Sequence, residues 1–182
     1  MIMKLLQANN DPTKYALIDD DIAEIINDMN LKFSIQPNGY FYSTKLIQLQ
    51  GMEKKKQLLL HHFVWILKTS EEPTSSIDHI NINPANNCFS NLRLATIQQQ
   101  QQHRGRMKNN KSGYIGVHHN VDKRGNGYDY WFTSIRKPDG RSEVKSFQYT
   151  PEGLLEAGKW YDSKAIEYFG EFHGQLNFPD DN

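Results

Sequence analysis

The sequence predicts an α+β chain built from small antiparallel sheets and a few well-marked helices. Two stretches and the composition carry that reading. Residues 76–104 run as a β-branched segment, an asparagine-rich loop, a second apolar run and a glutamine-rich segment. Residues 113–179 run as three segments of strand character split by turn residues, then one long amphipathic segment. The 182 residues are 37% hydrophobic and 23% charged, a globular balance with room for one ordinary domain or two small ones.

In chain order, residues 15–18 read as a short strand. Asp19, Asp20 and Asp21 supply a cap and first-turn charge for a helix through about Met29, with Ile22, Ile25 and Ile26 as its apolar face. Residues 33–35, the Pro37-Asn38-Gly39 turn and residues 40–49 predict a hairpin. Lys54, Lys55 and Lys56 belong to a solvated loop beyond Gly51. The apolar run LLLHHFVWIL at 58–67 leads into the next stretch.

There, Asp78 and His79 stand side by side in a run, 77–82, that reads as a strand. Asn81, Asn83, Asn86, Asn87 and Asn91 cluster around Pro84, and 92–95 is a second strand. Thr96 with Gln99 three residues on is a capping box, which predicts a helix carrying Gln98 to His103. Successive strand residues point to opposite faces, so Asp78 and His79 cannot both face one substrate in a regular strand. Distortion, or a site built across the strand edge, is expected.

A basic connector follows, RGRMKNNKSG, in which Arg104, Arg106, Lys108 and Lys111 fall within eight residues. It reads as a linker lying on phosphate. Strands are then expected at 114–119, 130–137 and 143–149, the last two joined by the Pro138-Asp139-Gly140 turn. Thr150, Pro151 and Glu152 open a long helix with a threonine cap, proline in the first turn and an early acid. Leu154, Gly158, Tyr161, Ala165 and Tyr168 form its stripe, and Gly170 ends it. Trp131, Thr133 and Ile135 should face that helix, leaving Phe132, Ser134 and Arg136 on an open face.

Several classes are excluded or disfavoured. Cys88 is the one cysteine, so neither a disulfide framework nor a four-cysteine zinc clamp can form, and no structural zinc is expected. No apolar run is long enough to cross a bilayer, and the opening residues lack a signal-peptide core, so an intracellular, membrane-free protein is expected. Net charge is zero, yet residues 101–150 hold ten Lys/Arg against four Asp/Glu, and 151–182 hold two against seven. One face is thus aimed at phosphate and another turned away.

The series DHIN, NN, NLRLAT and a Gln-rich helix resembles the HNH endonuclease family, in the form found in phage and giant-virus homing enzymes. The resemblance implies a ββα-metal core at 58–104 behind a β-rich lead-in at 1–57. It implies His79 as general base, Asp78 as metal ligand and Asn91 as the residue that braces the motif. The remaining ligand place falls on Gln100, where the family has Asn or His. Either glutamine binds metal more weakly, or His103 substitutes, or the site is impaired. Within 58–67 the resemblance sets His61 where the family has His and His62 where it has Arg. A phosphate-contacting His61 and a packed, hydrogen-bonded one both fit, outside the catalytic set. The implied cofactor is one divalent cation, Mg²⁺ with Mn²⁺ as a substitute.

Beyond a linker at 105–112, residues 113–179 resemble the ethylene-response-factor (Apetala) DNA-binding domain. The matching pieces are GYIGV, YWFTSIRKPDGR, KSF, Tyr161-Asp162 and the closing LNFP. Arg136 and Arg141 match arginines that contact DNA from the sheet in that family. Ile115, His118 and Asn120 replace others, and Glu143 replaces a tryptophan. The expected protein is therefore a homing-type endonuclease acting on double-stranded DNA as a monomer or homodimer, in a bacterial or virus-infected cell. A DNA-binding protein with a decayed nuclease core and a dimeric restriction enzyme are the alternatives.

Overall fold

A computed structural model describes residues 2–107, 109–121 and 129–179. Lys108 of the basic connector lies outside the described residues. The chain divides into two compact units, Met1–Ile97 and Gln98–Asn182, each α+β.

In the first unit, β1 (Met3–Gln7) pairs antiparallel with β2 (Tyr15–Asp19), and α1 (Asp20–Asp28) follows without a break. The expected cap does not form. Asp19 occupies the N-cap position, but its side chain makes no cap hydrogen bond; Oδ2 instead accepts the N–H of Phe89 at 2.9 Å. Ile22 and Ile26 are buried on α1, as the helical period requires.

β3 (Phe33–Ile35) and β4 (Phe41–Ser43) form the predicted hairpin, with Gly39 at φ 89° in its turn. The second strand stops at Ser43, well short of residue 49. There the Ser43 hydroxyl accepts the Leu58 N–H, and its own N–H goes to the Leu58 carbonyl.

The run at 58–67 is mostly helix: α2 spans Leu60–Thr69 and ends at Ser70 in the left-handed region, φ 60°. Leu60, Phe63, Val64 and Ile66 are buried on it. They join Ile18, Ile22, Ile26, Phe33, Phe41, Leu58, Ile77 and Leu92 in one hydrophobic core. Phe63 meets Phe33 edge-on with ring centroids 5.5 Å apart. Burying each such side chain contributes roughly 1.5–3 kcal/mol.

β5 (Ser76–His79) pairs antiparallel with β6 (Leu92–Ala95) in the register Asp78 opposite Arg93 and His79 opposite Leu92. The predicted strand ends at His79 rather than at residue 82. His79's carbonyl accepts the N–H of Ile82, and Ile82 takes φ 62°, a turn no β-branched residue continues as a strand. The loop that follows docks on β2. Leu17 donates to the Ala85 carbonyl and Asn87 donates to the Leu17 carbonyl, each at 2.7 Å.

The second unit begins with α3 (Ile97–Gln102 at the join), which ends one residue short of the prediction, so His103 stands just beyond it. Its sheet is β7 (Val117–Asn120), β8 (Tyr130–Arg136) and β9 (Ser142–Gln148) in that order, all antiparallel. α4 (Pro151–Phe169) packs across it. β7 starts later than the sequence suggests because Gly113 and Gly116 take φ 83° and 72°. A Cβ on Gly116 would sit 2.1 Å from the Tyr161 ring.

α4 opens as predicted: Thr150 Oγ1 accepts the Gly153 N–H at 3.0 Å. Gly158 and Ala165 of the expected stripe are buried, while Leu154, Tyr161 and Tyr168 are half-buried. The face is shifted toward small residues, since Gly153, Ala157 and Asp162 are also buried. Backbone contact is the reason: a Cβ on Gly153 would lie 2.1 Å from the Gln148 carbonyl oxygen. Thr133 and Ile135 are buried under α4, Trp131 is half-buried, and Arg136 is exposed. Asp162 locks the tail. It accepts from Asn177 Nδ2 at 2.9 Å and from the Phe178 N–H at 2.8 Å, and Asn177 Oδ1 accepts from the Ile115 N–H at 2.6 Å.

Candidate functional site

The sequence-chosen pair lies at the end of β5, and a regular strand does send its two side chains to different partners. Asp78 meets Arg93 directly across the ladder, with Nε donating to Oδ2 at 2.9 Å. Asp78 is buried and Arg93 nearly so, with side-chain exposures of 10% and 12%. His79 turns instead to a cluster of rings. Its centroid is 5.1 Å from His61 and 5.9 Å from Tyr40, and its Nε2 lies 3.3 Å from Asn87 Oδ1. The expected distortion thus falls one residue later, where the chain turns at 80–82. Asp78 nevertheless acts on His79 electrostatically, since its charge favours the protonated ring.

Asn91 holds the loop shut. Its Oδ1 accepts the N–H of Asn81 at 3.0 Å, while Nδ2 donates to Asn81 Oδ1 at 3.0 Å and to the Asn86 carbonyl at 2.7 Å. Its backbone carbonyl accepts the Ile80 N–H at 2.9 Å. One buried amide therefore joins both ends of an asparagine loop whose other members cap their own turns, Asn81 to Asn83 and Asn83 to Ala85.

Burial sets the proton affinities. His79 is held below the ordinary imidazole range by desolvation, partly offset by its hydrogen bond to Asn87 and by Asp78. It is therefore neutral near pH 7 and able to accept a proton. His61, only 4% exposed, is pushed down to about 3 by desolvation, then by repulsion from His62 and His79. Its partners among the described residues are rings: Tyr40, His62 and His79. It is a packed histidine whose contacts are aromatic rather than hydrogen bonds.

His61 makes acid sensitivity predictable. A depressed folded-state pKa means the unfolded chain binds the extra proton first, so stability falls as pH drops from about 6.5 toward about 3. At pH 5 this one site lowers stability by about 2 kcal/mol. His61→Phe should flatten the fall, read as denaturant midpoints for the two proteins at pH 7 and pH 5.

Tyr40 and Arg93 were not singled out from the sequence, and Asn87 was named only as one of the asparagine cluster. Arg93 had a signal, since antiparallel pairing of the two predicted strands sets it opposite Asp78. Tyr40 had none, because only the fold brings the hairpin turn to His79.

The oxygen-donor chemistry fits a hard divalent cation. Asp78 offers a carboxylate at the strand end, and Mg²⁺ is commonly held by one or two carboxylates with water and substrate phosphate completing the shell. Among the described residues no group of three or more His, Cys, Asp or Glu side chains gathers as a metal cluster. Gln100, half-buried on α3, belongs to the second unit, as does buried His103, which meets Phe172 edge-on.

Within that second unit, Arg104, Arg106, Lys111 and Arg136 line one cavity of about 1180 Å³, together with Gln98, Gln101 and Gln102 of α3. Arg106 Nη1 is tied to the Gly113 carbonyl at 2.8 Å. Arg141 is not on that cavity; it is exposed and paired with Asp139 at 2.6 Å. Glu143 turns toward α4, where it accepts from Tyr168 and pairs with Lys137 at 2.9 Å. The open sheet face carries His118 stacked on Phe132 at 5.2 Å, with Tyr130 beyond.

Known proteins bear on the first of these sites. Residues 58–102 match the family model described as HNH endonuclease. The chain is similar to a protein of Acanthamoeba polyphaga mimivirus named uncharacterized HNH endonuclease L560, at 32% identity over 143 residues. That alignment covers 78% of this chain and 64% of the relative, so the chain spans less than two thirds of the protein it matches. No solved structure matches. No helix among the described residues is long and apolar enough to cross a membrane.

Proposed function

We propose that the chain is a metal-dependent DNA endonuclease of the HNH homing type, cutting double-stranded DNA at a specific site. The observation that carries this is a neutral, buried His79 beside the Asp78 carboxylate, on a strand–loop–strand frame closed by Asn91, inside the segment that matches the HNH endonuclease model. Neutral imidazole takes a proton from water as that water attacks phosphorus. Asp78 supplies the hard oxygen for a divalent cation, and Gln100, or His103 in its place, is the further donor that the family resemblance implies. When bound, that cation, Mg²⁺ or Mn²⁺, neutralises charge on the scissile phosphate and the 3′ oxygen. Products then carry 5′-phosphate and 3′-hydroxyl ends.

The second unit is read as the DNA-docking module, of the ethylene-response-factor kind. Its basic cavity, lined by Arg104, Arg106, Lys111 and Arg136, supports backbone contact, and its open face with Phe132 and Arg136 supports groove contact. Lys108 and Arg141 join the basic set in this reading.

One observation favours a different account, a DNA-binding protein with a decayed core. Arg93 already neutralises Asp78, and glutamine stands at the third motif place. Supercoiled plasmid incubated with Mg²⁺ or Mn²⁺ separates the two. The nuclease reading expects nicking that a chelator abolishes and that Gln100→Asn increases, because the shorter amide holds its oxygen with one fewer rotamer to freeze. Retained DNA binding with no cutting in either ion, by either protein, establishes the decayed core.

A further inference from the structure

We infer that Asn87 is a positioning residue which holds His79 in the tautomer with its proton on Nε2, leaving Nδ1 as the nitrogen free to act as base. This rests on the nuclease reading only for its catalytic consequence; the tautomer follows from geometry alone.

Asn87 is 1% exposed and its amide has one workable orientation. Nδ2 donates to the Pro84 carbonyl at 3.1 Å, and the backbone N–H donates to the Leu17 carbonyl at 2.7 Å, so both backbone and side chain are pinned. Exchanging the amide's oxygen and nitrogen would set Oδ1 against the Pro84 carbonyl, two acceptors with no proton between them. The atom facing His79 Nε2 at 3.3 Å is therefore Oδ1, an acceptor. Only a ring carrying hydrogen on Nε2 satisfies it. A neutral imidazole has one such hydrogen, which leaves the lone pair on Nδ1.

The ring's other neighbours restrain its plane without competing for its protons. His61 and Tyr40 both meet it edge-on, at interplanar angles of 84° and 61°. In the cleavage step, the water oxygen bonds to phosphorus as its proton passes to Nδ1, and the ring becomes imidazolium. The bond from phosphorus to the 3′ oxygen breaks, and that oxygen takes a proton from solvent. Asn87 touches none of the reacting atoms; it chooses which nitrogen meets them.

The test is the ring ¹⁵N–¹H correlation spectrum of the ¹⁵N-labelled full chain at neutral pH. The expected result is a protonated Nε2 and a bare Nδ1 at His79, with the Nε2 proton slow to exchange. In Asn87→Leu that proton should exchange fast, and kcat should fall about 10–100-fold with KM unchanged. Asn87→Asp keeps an acceptor for Nε2 but sets its other oxygen against the Pro84 carbonyl, so it should slow that exchange again while lowering stability. A proton on Nδ1 in the unaltered protein overturns the inference, and that spectrum decides even if the leucine variant does not fold. So does Asn87→Leu with wild-type exchange and wild-type kcat. The expected tautomer in a protein that never cuts DNA supports the assignment while removing the nuclease reading, so the two failures are distinguishable.

Discussion

His79→Ala should lower metal-supported DNA cleavage by about 10²–10⁴-fold while leaving duplex binding nearly unchanged, the range expected when one general base is removed. The size follows from the site's composition. Among the described residues the rings next to His79 are Tyr40 and His61, and His61, with its proton affinity down at about 3, cannot replace it as a base near neutrality. Binding should survive because the basic cavity belongs to the other compact unit. His79→Gln is the companion variant. It keeps a polar side chain of similar length and no useful basicity, so equal loss in both assigns the effect to proton transfer rather than to a cavity. Nicking rates and gel-shift affinities measured on the same preparations check this.

Asp78→Ala should be the most destabilising change at the site, by about 1–3 kcal/mol, because it removes the charge-assisted partner of a largely buried guanidinium. The Arg93 side chain is 12% exposed and its Nε is given to Asp78 Oδ2. Coulomb attraction and a charge-assisted hydrogen bond now offset the desolvation of both groups. With the carboxylate gone, that contribution to the offset is lost. The double variant Asp78→Ala with Arg93→Leu removes both charges and should recover most of the stability, since a buried ion pair is often no better than apolar packing. It should recover none of the cleavage, because the oxygen donor is still absent. Urea midpoints and plasmid nicking on the single and double variants separate the two roles of one residue. A double variant that cuts DNA would remove Asp78 from the chemistry.

Much of the frame was legible because local chemistry decides it. Thr150-Pro151-Glu152 starts α4 where capping rules put it, and alternation along β8 correctly sent Thr133 and Ile135 inward. Elsewhere tertiary context won. LLLHHFVWIL is apolar on nearly every side, so periodicity gave no helical stripe, and α2 is held by burial of Leu60, His61, Phe63, Val64 and Ile66 with its remaining residues half-buried. β1 was invisible in a short polar-flanked run; pairing with β2 makes it a strand. Asp19 looked like a cap by sequence, but the Phe89 N–H, 70 residues on, claims its carboxylate.

The site divides along the same line. Asp78, His79 and Asn91 are recognisable as a local motif. Arg93 needed the strand register, and Asn87 needed the fold of the loop onto β2, which no spacing along the chain reveals. Gln100 stays outside this geometric account, being a residue of the second unit.

The most direct measurement exposes the full chain to a random library of DNA duplexes with Mg²⁺ and sequences the new ends. Cuts should gather at one recurring sequence, each leaving a 5′-phosphate and a 3′-hydroxyl, and none should appear with the His79→Ala protein. Duplexes that are bound and recovered whole in both Mg²⁺ and Mn²⁺, or cuts that persist without His79, would contradict the nuclease reading.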